Sequence, residues 1–202
     1  MRTATLGYSP QDTLGIGVEF IRQLQRRRTF VAFLLVVALP LIVVAAVRFG
    51  PSSNGDAGSS QGGGFGGGNF DLVGLATSGA WNFTITMLLF SSGFLLVIIA
   101  AMLLGDTVAS EASWSTLRYL LVAPVPRRKL LRTKAVVGLL LTAIVLLTLV
   151  LASWAIGAIA FGTAPLASPF GGALTQIESL QRLTVITTYI AITLLFPAAI
   201  AF

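Results

Sequence analysis

The sequence predicts an all-helical protein that crosses a membrane four times. Its composition is 55% hydrophobic and only 10% charged, whereas soluble chains carry roughly 25% charged residues. The apolar residues are gathered into four stretches, at 30–49, 81–104, 135–161 and 183–202. Each stretch is about as long as the ~20 residues that a helix needs to cross the hydrocarbon core of a bilayer. We therefore expect a polytopic membrane protein with a single transmembrane domain over residues 1–202.

The segment before the first span, residues 9–28, has the pattern of an amphipathic helix that lies in the membrane interface. Ser9 can cap a helix whose first position is Pro10. Three arginines end the segment next to the first span, as expected for a helix of this kind. Its apolar side chains recur at helical spacing: Leu14, Val18, Ile21 and Leu24. The alternative is a solvated tail whose periodicity is incidental.

The first span, 30–49, contains Pro40, which should kink the helix because it cannot donate a backbone hydrogen bond. Arg48 can extend its guanidinium to the outer membrane face.

Residues 50–80 are rich in glycine and serine and predict a flexible external loop. Three of its glycines match GxGxxG, but no strand precedes them, so we predict no nucleotide site there.

The second span, 81–104, begins at Trp81, an aromatic side chain suited to the membrane interface. Small residues near its middle, Ser91, Ser92 and Gly93, favour close helix packing. The segments after the central loop are a third span, a second external connection with a short helix near Glu178, and a fourth span: 135–161, 163–181 and 183–202. Threonines of the fourth span should donate hydrogen bonds to their own helix: Thr184, Thr187, Thr188 and Thr193.

The polar segment between the second and third spans, residues 105–134, holds six of the thirteen basic residues. Asp106 can cap the start of a helix, and leucines at 117, 120 and 121 would share one face of it. Pro124 and Pro126 then stop the helix. We therefore expect a short amphipathic helix at the membrane surface that is presented to a soluble partner.

The distribution of bases predicts a protein of the cell (plasma) membrane with its N-terminus in the cytoplasm. In that orientation eleven of the thirteen bases lie inside, and only Arg48 and Arg182 lie outside. Such an asymmetry is typical of loops that remain on the cytoplasmic side. Six bases are expected to contact lipid head groups at the membrane interface: Arg26, Arg27, Arg28, Arg128, Lys129 and Lys134.

From Glu111 to Lys134 the central loop resembles the cytoplasmic loop of type-2 ATP-binding-cassette (ABC-2 type) exporter permeases. In that family the loop holds a coupling helix that docks on a separate ATP-hydrolysing subunit. The resemblance implies that the chain pairs with a second copy or a similar permease, and that ATP and Mg bind to the partner subunit. Because family members usually have six spans, we expect a fragment or an early-ending version. The residues expected to contact the partner are Glu111, Thr116, Leu117, Leu120, Leu121, Pro124 and Arg127.

The sequence predicts neither catalysis nor a cofactor in this chain. Histidine and cysteine are absent, which disfavours a transition-metal site, and there is no GxxxxGK[ST] phosphate loop. No acid lies deep within a span, unlike in ion-coupled carriers. The bases adjoin apolar spans, so we expect lipid and not nucleic acid as their partner. The predicted function is the permease of an ATP-driven exporter; the alternative is a membrane anchor or assembly factor that recruits a soluble partner through the same loop.

Overall fold

A computed structural model describes residues 16–49, 72–113, 127–166 and 174–201 of the chain. Most of these residues are helical. In chain order the helices are α1 (Ile16–Leu24), α2 (Arg27–Phe49), α3 (Leu72–Thr77), α4 (Ala80–Gly93), α5 (Leu95–Ser113), α6 (Arg127–Phe161) and α7 (Gln176–Ala201).

Three helices, α2, α6 and α7, are long and apolar enough to cross a membrane, and α4 and α5 together add a fourth candidate if the bent pair counts as one span. Large apolar side chains are exposed along the bundle, for example Phe30, Leu151 and Phe196. In soluble proteins such side chains lie mostly inside, whereas a membrane protein presents them to lipid. The predicted all-α, polytopic membrane protein is confirmed.

The core is built around α6, which packs against α2, α4 and α5, while α7 packs mainly on α5. Buried residues of α6 recur every fourth residue, in a row that turns gradually around the helix: Val137, Leu141, Val145, Leu149 and Ser153. The buried face of α2 carries compact side chains that allow close approach to a neighbouring helix: Thr29, Ala32, Val36 and Pro40.

The N-terminal helices differ in extent from the prediction. The interfacial helix was expected over 9–28, but α1 ends at Leu24 and α2 already begins at Arg27. The first span therefore starts three residues before position 30, and α2 continues through Pro40. The helices α2 and α6 both begin at the same end of the bundle, which we call the basic end.

At the opposite end, polar contacts fasten α2 and α4 to the end of α6. Nη2 of Arg48 donates a hydrogen bond to the carbonyl of Ala160 at 2.5 Å. The last carbonyls of a helix have no partner within the helix, so Arg48, predicted to extend to the outer face, also caps α6. The N–H of Ala80 donates to the carbonyl of Gly162 at 2.9 Å. Trp81 and Trp154 meet edge to face, with ring centroids 6.2 Å apart.

The second span is broken, which was not predicted from the sequence. α4 ends at Gly93 and α5 begins at Leu95, with an angle of 54° between the two helices. The N–H of Phe94 reaches only the carbonyl of Ser91, at 3.4 Å. Neighbouring serine and glycine residues are a common cause of kinks. Small residues that were interpreted as a packing site therefore also account for the break.

α7 begins at Gln176, seven residues before the predicted start at 183. The N–H and Oγ1 of Thr175 both donate to Oε2 of Glu178 at 2.9 Å. The N–H of Glu178 in turn reaches Oγ1 of Thr175 at 3.4 Å. This reciprocal arrangement is a capping box, which satisfies backbone groups at the start of a helix. Further along α7, hydrogen bonds to the same helix are confirmed for Thr184, Thr188 and Thr193. The prediction is wrong for Thr187, whose buried Oγ1 has no hydrogen-bond partner.

Close packing of α4 on α6 depends on a glycine at position 157. A Cβ added to Gly157 would lie 3.0 Å from Cδ1 of Phe83 and 3.2 Å from Cα of Ala80. We expect Gly157→Ala to lower the free energy of unfolding by about 1–3 kcal/mol, the usual cost of overpacking. Thermal unfolding in detergent measures the loss. Gly17→Ala is the control, because Gly17 is exposed and a Cβ there meets no atom within 4 Å; equal losses in both variants would contradict the packing argument.

Candidate functional site

Charged and polar side chains come together inside the protein at the basic end. This basic-end cluster consists of Glu19, Arg22, Gln23, Thr29 and Lys134. Three of its members come from α1, one from the first turn of α2 and one from α6. Glu19 and Lys134 are each only 4% exposed. Burial of this extent is rare for a carboxylate or an ammonium unless the group is paired.

Glu19 lies at the centre of the cluster. Its Oε1 accepts hydrogen bonds from Nε2 of Gln23 and Nη2 of Arg22, both at 3.0 Å. Its Oε2 lies 2.9 Å from Nη2 of Arg22, whose side chain is 48% exposed. Nζ of Lys134 lies 3.7 Å from Oε1. The pair of Glu19 and Lys134 therefore joins α1 to α6 through buried, oppositely charged groups.

The surroundings of Glu19 determine its charge. Burial by itself would raise the pKa of the carboxyl, because it disfavours the charged form. Hydrogen bonds from Gln23 and Arg22, together with the positive charges of Lys134 and Arg22, outweigh burial and lower the pKa below its ordinary value. Glu19 is thus ionised at neutral pH, and its contact with Lys134 is an ion pair.

α1 turns its polar face into the protein and its apolar face outward. Val18, Ile21 and Leu24 from the predicted apolar stripe are exposed, while Leu14 lies outside the described residues. An outward apolar face suits a helix that lies in the membrane interface. The role of the opposite face was missed, although Glu19 and Gln23 are spaced i, i+4 and therefore share one side of a helix.

Thr29 connects the cluster to the first span. Its Oγ1 donates a hydrogen bond to the carbonyl of Gln23 at 2.8 Å, and this contact is buried. The same carbonyl, near the end of α1, also accepts a hydrogen bond from the N–H of Arg26 at 3.2 Å, so Thr29 supplies its second hydrogen bond. It also fixes the start of α2 against the end of α1. Three helices, α1, α2 and α6, therefore meet at the basic-end cluster.

The predicted coupling helix is described only at its edges. α5 runs without interruption through Asp106 and Glu111 to Ser113, so the prediction that Asp106 begins a new helix is wrong. Extending an existing helix costs less than nucleating another one, and no proline interrupts residues 95–113. Glu111 lies in the last turn of α5, and Arg127 is the first residue of α6. Outside the described residues lie Thr116, Leu117, Leu120, Leu121 and Pro124.

Most of the predicted interface bases lie in or next to the first turns of α2 and α6: Arg26, Arg27, Arg28, Arg128 and Lys129. Arg27 and Arg28 are exposed there. Lys134 is placed differently from the prediction, because it is buried beside Glu19 and does not face lipid. The carboxylate offsets the cost of removing an ammonium from water. That partner lies 115 positions away in the sequence, and nothing local indicates it.

Comparison with known proteins identifies a family. A family model described as an ABC-2 family transporter protein matches residues 16–202. The match includes all the described helices and every residue of the basic-end cluster. No curated protein and no solved structure matches the chain.

Proposed function

The chain belongs to the ABC-2 transporter family, and from this premise we propose that it is the permease subunit of an ATP-driven exporter. The observation that carries the proposal is the family match over residues 16–202. The helical bundle agrees with it, since three long apolar helices and one bent pair are suited to cross a membrane.

Energy for transport would come from a separate ATP-hydrolysing subunit that docks on the 105–134 loop. ATP and Mg would bind to that subunit, because the present sequence contains no GxxxxGK[ST] loop to hold phosphates. Residues 105–113 of this segment belong to α5 and residues 127–134 to α6, so a partner docked on it would act on two helices of the core. A second copy or a similar permease would complete the transport path.

The proposed orientation has the N-terminus in the cytoplasm and the basic end at the inner face of the cell membrane. Bases in the first turns of α2 and α6 would then lie at the level of the lipid head groups, where anionic lipid attracts them. The partner would meet the permease at this same face.

Co-purification tests the proposal. We expect the purified chain to hydrolyse no ATP above background, and to co-purify with the ABC ATPase encoded beside it as a complex that does. The measurement is ATP turnover in nanodiscs by the chain, the ATPase and the complex. A partner variant lacking its catalytic carboxylate is the control for contaminating activity.

Two outcomes would contradict the proposal. Turnover by the isolated chain would reveal a nucleotide site in the permease itself. A soluble partner that binds the loop without any dependence of ATP turnover on the permease would instead support the membrane-anchor function.

A further inference from the structure

We propose that the Glu19–Lys134 ion pair transmits movement of the 105–134 loop to α1 and α2, so that these helices and the base of α6 move as one unit. The inference rests on the proposed function, because it assigns the cause of the movement to the partner subunit docked on the loop. Glu19 and Lys134 are positioning residues in this proposal, acting through the helices that they join.

The first step runs along α6. This helix begins at Arg127, directly after the central part of the loop, and continues without a break to Phe161. Lys134 is seven residues from its start, which corresponds to about 10 Å along the helix axis. A displacement of the first turn of α6 therefore reaches Lys134 through a hydrogen-bonded helix.

The second step crosses from α6 to α1. The apolar side chains Val18, Ile21 and Leu24 are 57%, 55% and 41% exposed, so they contribute little to holding α1 on α6. Glu19 and Gln23 are the buried polar residues of α1, and Lys134 supplies the opposite charge from α6. Partly buried Phe20 adds an apolar contact with the core. The ion pair of Glu19 and Lys134 is thus the specific contact that holds α1 in position on α6.

The third step passes from α1 to α2. The hydrogen bond from Thr29 to the carbonyl of Gln23 fastens the start of α2 to α1. At the far end of the same span, Arg48 is bonded to the carbonyl of Ala160 in α6. α2 is therefore tied to α6 at both ends, whereas α7 packs mainly on α5. This arrangement favours movement of α1, α2 and α6 together relative to α7.

The first experiment examines the link without any partner. Spin labels are placed at Ile21 on α1 and Leu140 on α6, both of which are exposed. In the parent we expect one narrow distance distribution in nanodiscs. The uncharged double variant Glu19→Gln/Lys134→Met should broaden it, and it avoids leaving one charge buried alone. The exchanged pair Glu19→Lys/Lys134→Glu should restore the narrow distribution, and Arg182→Gln, at the opposite end, should leave it unchanged.

The second experiment uses the complex with the ATP-hydrolysing subunit. Between the nucleotide-free and ATP-trapped states, the distance from Ile21 to Leu140 should stay constant. The distance from Ile21 to a label at Ile200, at the end of α7, should change. In the uncharged double variant the change in the Ile21–Ile200 distance should be lost. Stimulation of ATP turnover by the permease should also fall about fivefold or more, because coupling between sites usually starts at about that size.

The outcomes separate the two proposals. Parental distances in the uncharged double variant, with and without partner, would overturn the role of the ion pair. An unresponsive Ile21–Ile200 distance in a parental complex that hydrolyses ATP would overturn the transmission while leaving the proposed function standing. Failure of the parental chain to bind any ATP-hydrolysing subunit would overturn the proposed function and the transmission with it, and the first experiment would still decide whether the pair holds α1 on α6.

Discussion

Replacing Glu19 by leucine should lower the free energy of unfolding by about 3–5 kcal/mol, the range for breaking a buried ion pair by removing one partner. The side chains of Glu19 and Lys134 are each only 5% exposed. Without the carboxylate, the ammonium of Lys134 remains buried beside an apolar group that cannot offset its lost hydration. Gln23 also loses the oxygen to which it donates. Denaturant titration in detergent micelles measures the change.

Two further variants distinguish the buried charge from lost packing. The double variant Glu19→Leu/Lys134→Leu should recover most of the loss, because replacing a buried pair by apolar residues is often neutral. Arg22→Gln should cost only about 0–1 kcal/mol, because its side chain is 48% exposed and screened by solvent. A double variant no more stable than Glu19→Leu would show that the unpaired ammonium is not the cause.

Acidification provides an independent test of the same cluster. The pKa of Glu19 is lowered in the folded protein from an ordinary value of 4.5, so the unfolded chain binds a proton more readily. Its contribution to stability is therefore present above pH 4.5 and is lost as the pH falls through the lowered pKa. On acidification the parent should lose the stability that ionised Glu19 contributes, whereas the Glu19→Leu/Lys134→Leu variant should show no such loss.

The features that could be predicted are those that depend on local sequence. A membrane span needs a continuous apolar run of sufficient length, and the runs starting at 30, 135 and 183 each lie within a long helix. The break at Phe94 depends on how Ser91 and its neighbours satisfy the backbone, which length and hydropathy do not reveal. The capping box of Thr175 and Glu178 was readable as T-x-x-E. A short helix was expected near Glu178, but its continuation into the last span as one helix from Gln176 was not predicted.

The candidate site was harder to predict, because its decisive contact is between distant residues. Arg26 and Lys134 look alike in the sequence, each a base beside an apolar span. Lys134 is brought within 3.7 Å of the Glu19 carboxylate by the packing of α1 on α6. Charge counting predicted the end of the molecule at which Lys134 lies, but it could not predict a buried partner. Long-range packing decides which bases face lipid and which are paired.

The second large effect is expected from substitutions in the predicted coupling loop, which should weaken binding of the partner. We expect Glu111→Ala and Leu117→Ala each to weaken binding of the ATP-hydrolysing subunit. Truncating one member of a buried charged pair in an interface costs about 2–5 kcal/mol, and a central apolar contact residue costs about 2 kcal/mol or more. Glu111 lies in the last turn of α5, so its backbone is already helical and little ordering entropy would be lost there on docking.

The size of the loss distinguishes a docking contact from a solvated loop. Arg128→Ala is the matched control, because Arg128 is assigned to lipid head groups and an exposed pair contributes only about 0–1 kcal/mol. Partner affinity is measured in nanodiscs for the three variants, after confirming that each inserts and unfolds like the parent. Parental affinity in both Glu111→Ala and Leu117→Ala would contradict the coupling assignment. A loss of affinity in Glu111→Ala alone would indicate that the partner contacts the last turn of α5.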